Sequence, residues 1–159
     1  MLTLCLDPGE TLGYVFIEMV PIIGGDQWES PPKILTANQI PLETSKEGFN
    51  WEMVSQEVSD LFAQEPDVVV IEDYRVYGST AMAHVGSRVL TSELIGAICH
   101  EAAISQTPVC RLMAGAKGSW PAARIMAKFP KWKIVPQPHA GDALILGLVY
   151  AENVLGWKP

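Results

Sequence analysis

Leu2-Thr-Leu-Cys-Leu-Asp7 followed by Pro8-Gly9 sets leucine at every second position and then breaks, the pattern of a β-strand running into a tight turn. Residues 12–19 resume as a second strand with Gly13 near its start. The breaker-rich stretch Val20-Pro-Ile-Ile-Gly-Gly-Asp-Gln-Trp-Glu-Ser-Pro-Pro32 reads as a long hairpin loop, and 34–40 return as a third strand. Strands joined in this way form an antiparallel meander.

Beyond the meander the period changes. Trp51, Val54, Val58, Leu61 and Phe62 fall at helical spacing and predict an amphipathic helix over about 47–64, stopped by Pro66. Val68-Val-Val-Ile71 is wholly apolar, as in a central strand covered on both faces. Met82, Val85, Val89, Leu94, Ile95 and Ile98 predict a long helix over 80–103, and Pro108-Val-Cys-Arg-Leu112 a fifth strand. Met113-Ala-Gly-Ala-Lys-Gly118 is expected to be a mobile loop, followed by a short helix near 121–129. Pro138 in its first turn and Gly156 just past its end bracket a last helix over 138–155. The order β-β-β-α-β-α-β-α-α, without internal repeats, predicts one α/β domain over 1–159, a mixed five-stranded sheet flanked by helices.

Composition agrees with that architecture. The 159 residues are 48% apolar and 18% charged, enough to bury a core without disulfides and unlike a disordered or collagen-like chain. Cys5, Cys99 and Cys110 are an odd number at unrelated spacings within apolar runs. This excludes a closed disulfide framework and a CxxC zinc site, and fits small core residues in a reducing compartment. No stretch approaches the ~20 uninterrupted apolar residues of a bilayer span. The first strand meets an acid too soon for a signal peptide, so a cytoplasmic location without a membrane partner is expected.

The net charge of -7 argues against a polyanionic partner until its distribution is considered. Between Ala102 and Gly141 there is no Asp or Glu, while Arg111, Lys117, Arg124, Lys128, Lys131 and Lys133 all fall there. The other 5 basic residues share the remainder with all 18 acids. So sharp a split predicts one face for polyanions on an otherwise acidic body.

The acids have an order of their own. Asp7 ends the first strand and Glu72 the fourth; if these strands are parallel neighbours, both acids leave the same sheet edge, where α/β folds place their sites. His139 and Asp142, at i, i+3 near the start of the last helix, share one helical face. Each has an ordinary alternative: an Asp-Pro-Gly turn, loop solvation, a packed imidazole, an acid near a helix N-terminus. Together they make a cluster that repels itself unless a cation fills it. Carboxylate oxygens suit Mg²⁺ or Mn²⁺, and a pair of such ions can activate water and stabilise the leaving oxygen of a phosphodiester.

Leu4-Cys-Leu-Asp-Pro-Gly-Glu-Thr-Leu-Gly-Tyr14, Val69-Val-Ile-Glu72 and His139-Ala-Gly-Asp-Ala-Leu-Ile-Leu-Gly147, in this order along the chain, resemble the three signatures of RuvC-type Holliday-junction resolvases. These are endonucleases of ribonuclease-H-like fold from bacteria and their phages. The resemblance implies a homodimer that nicks opposing strands of four-way junction DNA, leaving 5′-phosphate and 3′-hydroxyl ends. It implies two Mg²⁺ or Mn²⁺ ions per site, no small organic cofactor, and the cytoplasm of a bacterium or of a phage-infected host.

Carried onto this chain, the resemblance makes Asp7 the acid bridging the two ions, with Glu72 holding one and Asp142 the other. His139 would ligate metal or position water. Tyr74 and Tyr77, after the second acid, are candidates to stack on bases at the junction centre, with Arg75 on phosphate. Lys117 in its glycine-flanked stretch resembles the family's DNA-binding loop. Arg124 and Lys128, at i, i+4, join it in holding the backbone without reading sequence. The helix over 80–103 would build the dimer. Asp73 is expected outside the acid set, since one acid at that strand end satisfies the pattern.

Other functions share parts of this set. A ribonuclease-H-fold nuclease acting on RNA–DNA hybrids or branched DNA would keep the same acids and metals. A non-catalytic junction-binding protein has no need of Asp7, Glu72 and Asp142 together. An actin-like phosphate-binding module also uses an Asp-x-Gly turn after its first strand, but it needs a duplicated domain that 159 residues cannot hold.

Overall fold

The computed structural model describes residues 1–20, 31–73, 89–121, 124, 125, 127 and 137–157. Strands β1 (Leu2–Asp7), β2 (Thr11–Glu18) and β3 (Lys33–Pro41) form the expected meander, β2 antiparallel to both neighbours. A minimal hairpin follows, β4 (Thr44–Ser45) with β5 (Gly48–Phe49), and then helix α1 (Trp51–Phe62). Strand β6 (Val68–Asp73), helix α2 (Leu90–Ile104), strand β7 (Val109–Met113), a 3-10 segment (Ala114–Ser119) and helix α3 (Pro138–Asn153) complete the order. Because β6 lies parallel to β1 and β7 parallel to β6, the sheet runs β3-β2-β1-β6-β7. This is the mixed five-stranded α/β sheet that the hydrophobic pattern predicts.

Strand alternation divides the core in two. Cys5, Val15, Ile17 and Val70 point to one face and pack with Ala143, Leu144, Leu146 and Leu148 of α3. Leu4, Leu6, Val69 and Ile71 point to the other and pack with Val54 and Val58 of α1 and Leu94 and Ile98 of α2. Both faces of β1 and β6 are therefore covered, which explains why Val68 to Ile71 carries no polar residue. Each fully buried leucine in these layers contributes roughly 1.5–3 kcal/mol of transfer free energy.

Several boundaries differ from expectation, each for a local reason. Helix α1 begins at Trp51 rather than near 47, because the Asn50 side chain accepts the Met53 N–H at 3.3 Å and caps it. The residues before it fold back as β4 and β5 instead, with Gly48 at φ 116°, where a side chain would be strained. Strand β6 continues past Ile71, pairing Glu72 with Leu112 and Asp73 with Met113. The stretch expected to be mobile, 113–118, ends β7 and then forms the 3-10 segment. Of the short helix expected near 121–129, residues 121, 124, 125 and 127 are described; 121 is not helical, and the other three are. The hairpin loop at 21–30 and residues 80–88 of the long helix lie outside the described residues. None of the described helices is long and apolar enough to cross a membrane.

Two glycines let α3 lie close on the sheet. A Cβ on Gly13 would meet the backbone carbonyl of His139, and one on Gly147 would meet Ile17 and Cys5. The first contact is backbone on backbone, so no rotamer change relieves it. Gly13→Ala should therefore lift the start of α3 and lower stability by about 1–3 kcal/mol, as overpacking does in well-filled interiors. Urea unfolding checks this; an unchanged midpoint would contradict the close approach.

Candidate active site

Strand parity decides which acids meet. Leu6 pairs with Ile71, so Asp7 and Glu72 occupy the next rung of neighbouring parallel strands. Since Cys5 and Val70 face α3, Asp7 and Glu72, two residues further along their strands, face it too. Asp73 falls on the opposite face, where Arg111 approaches it at 3.8 Å and donates to Cys99 Sγ at 3.2 Å. One strand end thus sends adjacent acids to opposite sides of the sheet. Helix α3 brings its N-terminal turns over the same edge, because Asp7 pairs with Gly13 and Gly13 lies beneath the His139 carbonyl.

The four residues singled out by the sequence converge there. Asp7 is buried, and both its oxygens are engaged: Oδ1 accepts from Lys117 Nζ at 2.7 Å, and His139 Nδ1 stands 3.1 Å from Oδ2. An ionised carboxylate only accepts, so Nδ1 carries the proton in this contact and Nε2 is the ring's other nitrogen. The Lys117 ammonium also stands 2.6 Å from Glu72 Oε2 and 3.1 Å from Asp142 Oδ2. Asp142 is the most open of the three acids, its side chain 47% exposed against 11% for Asp7.

Electrostatics make Lys117 the counter-ion of the cluster. Burial alone would lower its pKa, but the hydrogen bonds to Asp7 and Glu72 and the charges behind them outweigh burial and hold it above the ordinary lysine range. Three carboxylates gathered on one cation, with an imidazole beside them, form an oxygen-rich donor set suited to a hard divalent ion rather than to a thiolate-seeking one. Among the described residues, no three His, Cys, Asp or Glu side chains close on a common point by themselves; the ammonium stands between them.

Lys117 is where the structure departs most from the sequence expectation. The resemblance puts it on a DNA-binding loop; its ammonium instead turns inward, because the 3-10 segment is held between β7 and the fully buried Trp120, directly beside the three acids. Arg124, also expected on DNA, has both terminal nitrogens engaged: one donates to the Ser119 carbonyl and the other to Glu152 Oε1, each at 2.7 Å. Its guanidinium lies 4.0 Å from the centre of the Trp120 ring. Each of the three described basic residues of the acid-free stretch, Arg111, Lys117 and Arg124, is thus paired with an acid. Tyr74, Arg75, Tyr77 and Lys128 lie outside the described residues, as do Lys131 and Lys133.

Neither the place of Lys117 within the acid cluster nor the contacts of Trp120, whose Nε1 donates to Glu152 and whose ring stacks on Trp157, is legible in the sequence. Asp7 and Lys117 are 110 residues apart, and a lysine between small residues carries no signal of which way it points.

No family model matches the sequence, and no curated protein matches it. Solved structures do. The chain superposes on Thermus thermophilus RuvC in complex with a Holliday junction substrate with a TM-score of 0.70 at 18% identity, covering 95% of this chain and 93% of that one. The fowlpox virus Holliday junction resolvase gives 0.59 at 18% identity, covering 96% and 99%. The yeast mitochondrial Holliday junction resolvase gives 0.54 at 15% identity, covering 92% and 75%. The shared feature is the ribonuclease-H-like α/β sheet with its helices, over nearly the whole chain.

Proposed function

We propose that this chain, which has the fold of the RuvC-type resolvases, is a metal-dependent endonuclease that resolves four-way DNA junctions by paired, symmetric nicks. The observation that carries this is the convergence of Asp7, Glu72, Asp142 and His139 at one sheet edge around a cation. Asp7, Glu72 and Asp142 would hold Mg²⁺ or Mn²⁺, with His139 as a further ligand or as the group that positions water. Bound there, a pair of such ions supplies an activated water and charge stabilisation for the departing 3′ oxygen. The chain's own part is to bury Asp7 at the end of its strand and hold it beside His139, which fixes the carboxylate's orientation before DNA arrives.

Around this centre, Tyr74 and Tyr77 are proposed to stack on unpaired bases, and Arg75 and Lys128 to hold phosphate. Arg124, with both terminal nitrogens engaged, is proposed to brace its segment instead. Two symmetric nicks need two sites, which a twofold homodimer provides. Trp51, 39% exposed, borders a groove of about 250 Å³ between α1 and α2 that such a partner can cover. The protein would act as a single domain over 1–159 in the cytoplasm of a bacterium or an infected cell, without an organic cofactor.

The test is cleavage of a labelled synthetic four-way junction in Mg²⁺ and in Mn²⁺, beside a linear duplex and an RNA–DNA hybrid. Paired nicks in the junction alone are expected. Cutting of the hybrid instead would move the chain to ribonuclease-H chemistry. Junction binding with no metal-dependent cutting of any substrate would leave a non-catalytic binding protein.

A further inference from the structure

We propose that Lys117 is an internal counter-ion that occupies the carboxylate site of the ion-free protein and must leave it for a divalent ion to bind. This rests on the metal site proposed above and concerns its regulation. Three acidic side chains, Asp7, Glu72 and Asp142, each place an oxygen within 3.1 Å of Nζ. An ammonium has three N–H donors, so this set matches its full capacity. A divalent ion at the same acids needs the same oxygens and meets a like charge within bonding distance, so the two cations exclude each other.

The surroundings allow the exchange. Lys117 sits on a six-residue 3-10 segment fixed at one end by β7 and at the other by Trp120, which is 0% exposed. Beside it, Gly118 has open space where a Cβ would stand, so among the described residues no side chain wedges the backbone there. The lysine side chain itself remains 19% exposed, with a path to solvent. Two consequences follow for the ion-free protein. The acids are kept together without metal, and the apparent affinity for metal is lowered by the fraction of molecules whose site is free.

Calorimetric titration of Mn²⁺ into the full chain, its Lys117→Met variant and its Asp7→Asn variant tests this. If the lysine is engaged in nine molecules of ten or more, Lys117→Met binds at least about 10-fold more tightly than wild type. Asp7→Asn loses the binding and so locates it. A second measurement needs no variant: Lys117, followed by mass spectrometry after brief amine acetylation, is expected to be protected in EDTA and modified about 10-fold faster in saturating Mn²⁺. Should Mn²⁺ bind through Asp7 with equal or lower affinity in Lys117→Met, the exchange is overturned and the metal site stands. Acetylation of wild-type Lys117 at one rate with and without Mn²⁺ overturns the exchange in the same way. If wild type and Lys117→Met both fail to bind Mn²⁺, the metal site falls and the exchange with it.

Discussion

Asp7→Asn is expected to fold as wild type does and, on the proposed function, to cut a four-way junction more than about 100-fold more slowly in Mg²⁺, since even partners that only support a metal ligand are worth 10–100-fold. The substitution keeps the shape of the side chain and removes its charge. It also leaves one acceptor where two are used, by Lys117 at Oδ1 and by His139 at Oδ2, so one of these donors must face an amide N–H₂. Glu72 and Asp142 still hold Lys117, which keeps the fold intact. Junction binding, which depends on contacts to the DNA backbone, is expected to persist or to tighten as an acid is lost from a polyanion's path. Single-turnover cleavage and a gel-shift titration on the same preparation separate the two effects. Wild-type cleavage by Asp7→Asn would remove Asp7 from the chemistry.

Trp120→Ala is expected to be the most destabilising single change at this end of the molecule, by about 3–5 kcal/mol, the usual range for truncating a buried tryptophan. The ring is fully buried and stacks on Trp157, with centroids 5.8 Å apart and planes 9° from parallel. Its Nε1 donates to Glu152 Oε2 at 2.7 Å, and the Arg124 guanidinium rests against it. Truncation would leave a cavity, a carboxylate without one of its donors and a guanidinium without its platform. At roughly 2–4 °C per kcal/mol for a chain of this size, the thermal midpoint should fall by about 6–20 °C. The damage should reach the site as well, because Trp120 anchors the segment that carries Lys117. A midpoint within about 2 °C of wild type would show that the cluster does not brace the fold.

Much of the architecture is written in local pattern. Alternation marks β1, an all-apolar run marks β6, and Pro138 marks the start of α3; that Asp7, Glu72, His139 and Asp142 share an edge depends further on the parallel pairing of β1 with β6 and on the close approach of α3 at Gly13. Parity then separates Glu72 from Asp73, a distinction that depends only on which face of β6 each side chain takes. The weaker readings share a physical cause. Asn50 competes with Glu47 as a helix start, and only the hydrogen bond to Met53 decides between them. The two-residue strands β4 and β5 are too short to carry a period. The acid-free stretch promises a basic surface, yet Arg111, Lys117 and Arg124 find acids from elsewhere in the chain, and tertiary approach of that kind leaves no trace in spacing.

Whether the sheet-edge acids hold catalytic metal decides the mechanism. Crystals of the wild-type protein soaked in Mn²⁺ and measured at the manganese absorption edge answer this. Anomalous density bonded to Asp7, with Glu72 and Asp142 turned toward it and Lys117 withdrawn, is the predicted result, and it should vanish in Asp7→Asn. Manganese bound only elsewhere, with Lys117 still among the three carboxylates, would contradict it.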